Sequence, residues 1–382
     1  MKIYDVIIIG AGASGLMAAS QLKKRQKSVL IIDMGNVPAR KIAVSGGGNC
    51  NFTNTHADIT HYFGKNPQFV KSALNQFSPM NTLDWVISHG IKYVEKEPGR
   101  YFCKNGANDI IDALLKDIKN TEIKYNTHVQ DVEKLNDIFT IKTDKGNFYS
   151  ASVIIASGGI SYPHLCVSNI GHIIAKQFGH KIEPPHPGLC AIKTNAFNSD
   201  LAGLSLDVEI IVDKHKIIDS LLFTHFGIGG PAVYRATLIN AKEMIINFAP
   251  DINMFELLKS AKKTSGKKSV SNIIAEQLPN KLSRFLCNND SRNIADLRDS
   301  ELKQIADKIN HFEINDGTTV GFQSAEVMAG GVSVDKISSK TMESKLCPGL
   351  FFAGEVVDIT GDLGGYNIQW AFSSGFVAGY NA

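Results

Sequence analysis

Val6-Ile7-Ile8-Ile9-Gly10-Ala11-Gly12-Ala13-Ser14-Gly15, with a helical pattern from Ala13 to Lys24, decides how this chain folds. Four β-branched residues read as a buried strand, and glycines follow it at the spacing of a strand–turn–helix nucleotide site. Gly10 allows the tight turn, Gly12 lets backbone approach a pyrophosphate, and Gly15 lets the helix pack on its strand. The helix amino end, with Ala13 and Ser14 in its first turn, then offers unpaired N–H groups and a positive dipole end to phosphates. A second apolar run, Val29 to Ile32, ends at Asp33, an acid placed to accept from ribose hydroxyls. An acid there argues against a 2′-phosphate, so FAD or NAD fits and NADP does not.

The far end of the chain separates FAD from NAD. Leu350-Phe351-Phe352-Ala353-Gly354-Glu355 reads as a buried strand entering a turn, and Gly361-Asp362-Leu363-Gly364-Gly365-Tyr366-Asn367 leads to an apolar helix from about Ile368 to Tyr380. In two-dinucleotide-binding flavoproteins such a strand and acid reach the ribityl and pyrophosphate region. The helix that follows turns its amino end toward the flavin pyrimidine ring, where it stabilises negative charge on the reduced flavin. The two glycine-rich ends are read as halves of one FAD site.

Between them, Pro38 to Asn54 forms a glycine-bearing loop of the kind that carries function. Helices are expected at about Pro67–Phe77, Pro79–Gly90 and Ala107–Lys119, with Ser78 capping the second. Strand patterns follow at Val129–Leu135, Phe139–Thr143 and Asn147–Tyr149, and then at Val153-Ile154-Ile155 running into Ala156-Ser157-Gly158-Gly159. Pro184-Pro185-His186-Pro187-Gly188 marks a boundary that neither a helix nor a central strand continues. Strands at Cys190–Thr194, Val208–Val212 and Ile217–Leu222, a helix from Pro231 to about Asn240, and helical periodicity from Asn253 to Ile309 complete an insertion. The fold class expected is α/β. A Rossmann-like FAD-binding domain over residues 1–189 and 318–382 is interrupted by residues 190–317, β-barrel-like over 190–250 and helical over 251–310.

At 382 residues with 20% charged and 43% apolar residues, the chain has the profile of an ordinary soluble protein. A net charge of +3 does not by itself indicate a nucleic-acid partner. The six cysteines, Cys50, Cys103, Cys166, Cys190, Cys287 and Cys347, are scattered without a CxxC. That pattern favours a reducing, cytoplasmic setting, with no metal site and no redox-active dithiol beside the flavin. No run approaches the roughly 18 apolar residues of a membrane span.

Three motifs in order carry a resemblance over nearly the whole chain: Arg40-Lys41…Ser45-Gly46-Gly47-Gly48-Asn49-Cys50-Asn51-Phe52-Thr53-Asn54; Phe223-Thr224-His225-x-Gly227-Ile228-x-Gly230-Pro231; and Gly354-Glu355-Val356-Val357-Asp358…Gly364-Gly365-Tyr366-Asn367-Ile368-Gln369-Trp370. The sequence resembles the BaiN/RdsA-type (YhiN-like) NAD(P)/FAD-dependent flavoproteins. That resemblance implies reduction of a carbon–carbon double bond, either in a steroid-like molecule or in a uridine of large-subunit ribosomal RNA. It departs from the family at Asn49, where Arg or Lys is usual, at His164 to Ile170, which replace a glycine-rich continuation, and at Ser157, where Thr is commoner.

FAD contacts are expected from Gly10, Gly12, Ala13, Ser14, Gly15, Asp33, Arg40, Lys41, Ser45, Gly46, Gly47, Asn49, Cys50 and Asn51, then from Val129, Ala156, Ser157 and Gly158. At the far end they are Gly354, Glu355, Asp362, Gly364, Gly365, Tyr366, Asn367 and Ile368. Flavin supplies hydride chemistry, and reduction of an activated alkene also needs a positioned acid. Cys50, His225 and Tyr366 are the candidates, each with a purely structural reading beside it. Lys259, Lys262, Lys263, Lys267 and Lys268 form a run without acids, which is either a solvated face or the place for RNA phosphates. No second strand–glycine–helix unit is present for NAD(P)H, so a nicotinamide donor would bind transiently. The favoured reading is an NAD(P)H-fed reductase of a C=C bond, in ribosomal RNA or a small enone, with no stable protein partner. A flavin oxidase and an RNA-binding assembly factor with structural FAD stand beside it.

Overall fold

Four runs that are apolar on both faces can be satisfied only inside a sheet covered on both sides, and parallel pairing is the result. A computed structural model describes residues 2–239 and 242–382. It comprises two compact units, one of residues up to His186 together with Glu326–Ala382, the other of Pro187–Ala325. In the first unit strand Ile3–Ile9 lies between Val29–Ile32 and Gly146–Ile155, with Ile8 opposite Ile31 on one side and Ile154 on the other, both parallel. Strand Leu350–Phe352 adds beyond Gly146–Ile155, also parallel, with Phe351 opposite Ile154. The chain ends meet in this sheet although their residues are more than 340 positions apart.

The segments 147–149 and 153–155 prove to be one strand, Gly146–Ile155. Its first half pairs antiparallel with Ile138–Thr143 and its second half joins the parallel sheet. The polar Ser150 at the changeover obscures the continuity in sequence. Its hydroxyl is satisfied locally, donating to the Ser152 carbonyl at 2.8 Å.

Helix Ala13–Lys24 packs along the terminal helix Tyr366–Asn381. The approach is close because Gly375 and Gly379 face the first helix, where a Cβ would fall on the carbonyl oxygens of Ser14 and Ala18. The terminal helix starts two residues before the expected Ile368, directly after Gly365, so Tyr366 and Asn367 belong to its first turn.

The second unit has its own core and an antiparallel sheet in the order Phe312–Ile314, Met244–Asn247, Ser205–Val212, His215–Thr224, Gly227–Gly229, Ile192–Lys193, Thr318–Thr319. Phe197, Phe223, Phe248 and Phe312 interlock within it. Helices Met254–Thr264, Val270–Ile274, Asn280–Leu286 and Asp299–Asn310 follow. Thr318 and Thr319, where the FAD domain was expected to resume, pair with Lys193 and Ile192 in the inserted sheet. A two-residue polar edge strand carries no periodicity to reveal this. Helix Pro231–Ala236 gives way to a 3₁₀ turn at Thr237–Ile239; the expected end at Asn240 lies outside the described residues. No helix among the described residues is long and apolar enough to cross a membrane.

Candidate active site

The turn after the first strand is built from Gly10, whose φ of +112° is open to glycine and strained for other residues. A Cβ on Gly10 would fall on the Ala156 carbonyl oxygen. Gly12 differs: its φ is −84° and no atom lies within 4 Å of where its Cβ would be. No side chain caps the helix it precedes and no acid sits in the first turn, so the amino-terminal N–H groups face that open space.

Beside the turn runs a cleft lined by Gly10, Asp33, Arg40, Thr127, Val129, Ser157 and Cys166. Asp33 is held there by the N–H groups of Ala11 and Gly35, each donating at 2.7 Å, and by the Arg40 guanidinium at 2.7 Å. A carboxylate has about four acceptor positions, so one remains for a ribose hydroxyl. Arg40 acts as a strap on the protein itself. It donates to the carbonyls of Val37, Leu165 and Cys166 as well as to Asp33, and so ties down the segment that departs from the family pattern.

The residues present fit FAD by a direct structural test. Ser157 Oγ is buried at the cleft with no hydrogen-bond partner, an arrangement that an acceptor or donor on a bound ligand would complete. The uncapped helix end at Gly12 leaves N–H groups of the kind a pyrophosphate would need.

Lys41 and Glu355 form a partly buried ion pair in this unit. Lys41 Nζ lies 2.6 Å from Glu355 Oε2 and 2.6 Å from Ser161 Oγ. Glu355 also accepts from the N–H groups of Gly159 and Met328, each at 2.9 Å. Burial pushes the Glu355 pKa up, but Lys41 and these N–H groups outweigh it and hold the carboxyl below its usual range. Glu355 thereby fastens the Ser157–Gly159 turn to Lys41 and the terminal glycine loop.

The expected flavin loops come together in space. Asn54 donates to the Gly364 carbonyl at 2.9 Å, and a Cβ on Gly365 would press against Thr53 and Asn51. Asn367 braces its own loop, accepting from Gly361 N–H and donating to Gly361 O, both at 2.8 Å. Ser45 caps the preceding helical turn through Ile42 O, and Gly46 and Gly47 adopt positive φ beside it. Ile368 follows on the helix, half-buried.

The three candidate acids part company here. Cys50 is buried in that loop, where a hydrogen bond to Cys103 and its burial push the thiol well above its usual range. The sequence scatter of cysteines conceals this pair, because antiparallel pairing of Asn51 with Phe102 brings Cys50 and Cys103 side by side. Tyr366 is buried and stacks on His61, ring centroids 4.5 Å apart. His225 lies exposed in the turn between two strands of the other unit.

Sequence reading missed His61 and Ser161. His61 Nδ1 lies 3.6 Å from Asp362, and its backbone carbonyl accepts from Asp362 N–H at 2.8 Å. The short antiparallel pairing of Tyr62–Phe63 with Thr360–Gly361 holds the two residues together. A two-residue strand gives no sequence signal. The lysine run is partly neutralised: Lys262 pairs with Asp299 at 3.0 Å and Lys268 with Glu276 at 2.9 Å, while Lys259 sits over the Phe255 ring.

One further acid titrates in a useful range. Asp358 is buried and its pKa is pushed up to about 6, by burial first and then by nearby Glu183, although Lys65 N–H donates to it. A carboxyl raised in the folded state gives stability that is full below its unfolded pKa and lost as pH rises through the folded value. Asp358→Asn is therefore expected to match the parent near pH 4 and to exceed it by about 2 kcal/mol at pH 7.5, read from denaturant midpoints across that window. A constant difference at both pH values would refute the assignment.

Comparison with known proteins agrees with this geometry. The family model described as "HI0933-like protein Rossmann domain" matches residues 4–381. The chain is 39% identical over 387 residues to a protein of Haemophilus influenzae named ribosomal RNA dihydrouridine synthase, covering 97% of this chain and 96% of that one. It is 27% identical to a 3-dehydro-bile acid delta(4,6)-reductase of Clostridium scindens, covering 97% of each. Among solved structures, the 3-ketosteroid-delta4-(5alpha)-dehydrogenase of Rhodococcus jostii shares the fold, with a TM-score of 0.51 at 10% identity over 99% of this chain and 95% of that one. With its glycine turn, its uncapped helix end and this near full-length match, the chain is a FAD-dependent oxidoreductase belonging to the HI0933-like protein Rossmann domain family.

Proposed function

We propose that this protein reduces the C5–C6 double bond of a uridine in large-subunit ribosomal RNA to give dihydrouridine, using NADH or NADPH as the electron donor. The likeness that carries this reading is the 39% identity spanning 97% of the chain. The bile-acid relative acts, by its name, on another unsaturated substrate, so a steroid-like enone is the second reading.

FAD, when bound, supplies the hydride. The chain's own residues do the rest. The amino end of helix Ala13–Lys24 would hold the pyrophosphate, Asp33 and Ser157 would orient the adenosine end, and Glu355, fixed by Lys41, would hold the ribityl side. The amino end of helix Tyr366–Asn381 would face the flavin ring and favour negative charge there. A proton must reach the second carbon; His61 and Tyr366 stand by that helix end, and Cys50 lies in the loop that adjoins it. Cys50 and Tyr366 are buried, whereas the His61 side chain is 29% exposed and keeps Asp362 beside it. His61 thus joins the candidates as one beside that helix end with solvent access.

The test is anaerobic mixing of flavin-loaded protein with NADH and with NADPH, followed by large-subunit ribosomal RNA lacking dihydrouridine. Bleaching of the flavin band, its return on adding RNA, and dihydrouridine detected by mass spectrometry are the expected results. Bleaching without RNA-dependent return, but with return on adding a steroid enone, would select the second reading. Failure to bleach with either nicotinamide would reject the donor assignment.

A further inference from the structure

Helix Tyr366–Asn381 has no charged side chain, yet near its amino end it carries an amide wholly shielded from water, that of Gln369. A buried amide is costly unless its hydrogen-bonding capacity is met. Here it is met in full. The side-chain oxygen accepts from Thr53 Oγ1 at 2.5 Å and from Thr82 Oγ1 at 2.8 Å. The nitrogen donates to the Phe77 carbonyl at 3.2 Å and to Ser373 Oγ at 2.9 Å, and Ser373 Oγ donates to the same carbonyl at 2.6 Å. A carbonyl only accepts, so Phe77 fixes which end of the amide is nitrogen and leaves the oxygen to the two threonines. Thr53, Thr82 and Ser373 are likewise buried.

The partners come from segments far apart in the chain. Thr53 belongs to strand Asn51–Asn54 of the flavin loop, 316 residues before Gln369. Phe77 follows helix Val70–Gln76, and Thr82 lies on helix Pro79–Ser88. A leucine would fill the same space, but apolar packing has no direction, whereas these directed bonds are all made at one rotation and one height of the helix. A slip by one residue would turn the helix by about 100° and move it by about 1.5 Å. The amide thus sets the register of the terminal helix on the flavin loop. Close contact at Gly365 supports the same register, since a Cβ there would press on the Thr53 carbonyl.

Register matters here because of charge. No side chain caps this helix and no acid sits in its first turn, so its partial positive charge is left for whatever lies beyond it. That influence fades within about one turn, so its strength at a bound ring depends on where the helix end stands. We propose that Gln369 is a positioning residue for the flavin: by tying the amino end of the terminal helix to Thr53 it fixes the distance from the helix's positive end to the flavin ring, and so raises the flavin's reduction potential. The proposal rests on the placement of that helix end in the reading above.

The experiment measures the midpoint potential of full-length, flavin-loaded protein by dithionite titration against a reference dye, with neither nicotinamide nor RNA present. Flavin content and the melting temperature of the apoprotein are read beside it. Gln369→Met keeps the volume and removes the amide's hydrogen bonds. It is expected to weaken binding of reduced FAD relative to oxidised FAD at least tenfold, a fall of about 30 mV for a two-electron couple. Thr53→Val is expected to lower the potential likewise, and Thr53→Ser, which keeps the hydroxyl, to retain the parent value. Thr82→Val takes a hydroxyl from the same oxygen but away from the flavin loop, and is expected to lower the melting temperature at unchanged potential. Gln369→Met and Thr53→Val proteins that melt lower yet keep the parent potential overturn the proposal. An equal fall in Thr82→Val also overturns it, because the effect would then follow stability and not the tie to the flavin loop. Should Gln369→Met fail to fold, Thr53→Val and Thr53→Ser decide between these outcomes. Ile368→Asp tests the underlying placement separately, since an acid at that helix end is expected to lower the potential by its charge alone. If it does so while Gln369→Met and Thr53→Val do not, the helix end faces the flavin and the positioning role alone is wrong. If none of the three moves the potential, the placement is wrong as well.

Discussion

Gly10→Ala is expected to yield a protein that purifies without its yellow colour and melts at a markedly lower temperature. Gly10 combines a φ of +112° with a backbone carbonyl, that of Ala156, where its Cβ would go. Relief requires strand Gly146–Ile155 to move away from Ile3–Ile9, which breaks the register that aligns Ile9 with Ile155. Backbone strain and overpacking together amount to about 3 to 5 kcal/mol, a large part of the stability of an ordinary domain. Gly12→Ala is the informative partner. Its φ is ordinary and its Cβ would enter open space, so apoprotein stability should stay within about 0.5 kcal/mol of the parent while FAD affinity falls. Thermal melts with and without added FAD separate the two. Equal loss of apoprotein stability in both variants would show that the space by Gly12 is not a ligand site.

Lys41→Met carries the second large effect. It leaves Glu355 beneath the flavin loops with two backbone N–H groups and no counter-charge. Removing one member of a partly buried ion pair costs about 3 kcal/mol, because the remaining charge loses its compensation. The sign with pH follows from the depressed Glu355 pKa. Its stabilisation is present above the unfolded carboxyl value and is lost as pH falls through the folded one. The deficit of the variant should accordingly be full at pH 7.5 and shrink toward pH 4, where Glu355 becomes neutral without Lys41. Lys41→Met/Glu355→Gln should recover part of the loss, and the double-mutant cycle isolates the pair from the rest of the Lys41 side chain. A deficit that stays constant with pH would place the effect in packing instead.

Local chemistry written in consecutive residues was legible without coordinates. The strand, glycine turn and helix from Ile3 to Lys24, the strand ending before Asp33, and the Ser78 cap of helix Pro79–Ser88 depend on near neighbours alone. The dinucleotide assignment followed because the expected phosphate and ribose contacts lie in one short segment whose backbone geometry glycine spacing dictates, and the strand, glycine loop and helix from Leu350 onward then favoured FAD over NAD. What pairs across long separations was not legible. The extent of the insertion turned on Thr318 and Thr319 joining Ile192 and Lys193, and the Cys50–Cys103 contact on the alignment of Asn51 with Phe102. The approach of His61 to Asp362 rests on a two-residue strand, and the bonding of Arg40 to Leu165 and Cys166 rests on a loop without periodicity. Sequence by itself determined that this chain is a dinucleotide-binding α/β protein built for FAD, since turn, strand and helix signals act over a few residues. Tertiary structure alone decided which acids meet which cations and which candidate proton donors are buried, because burial and charge pairing depend on contacts between segments far apart in the chain.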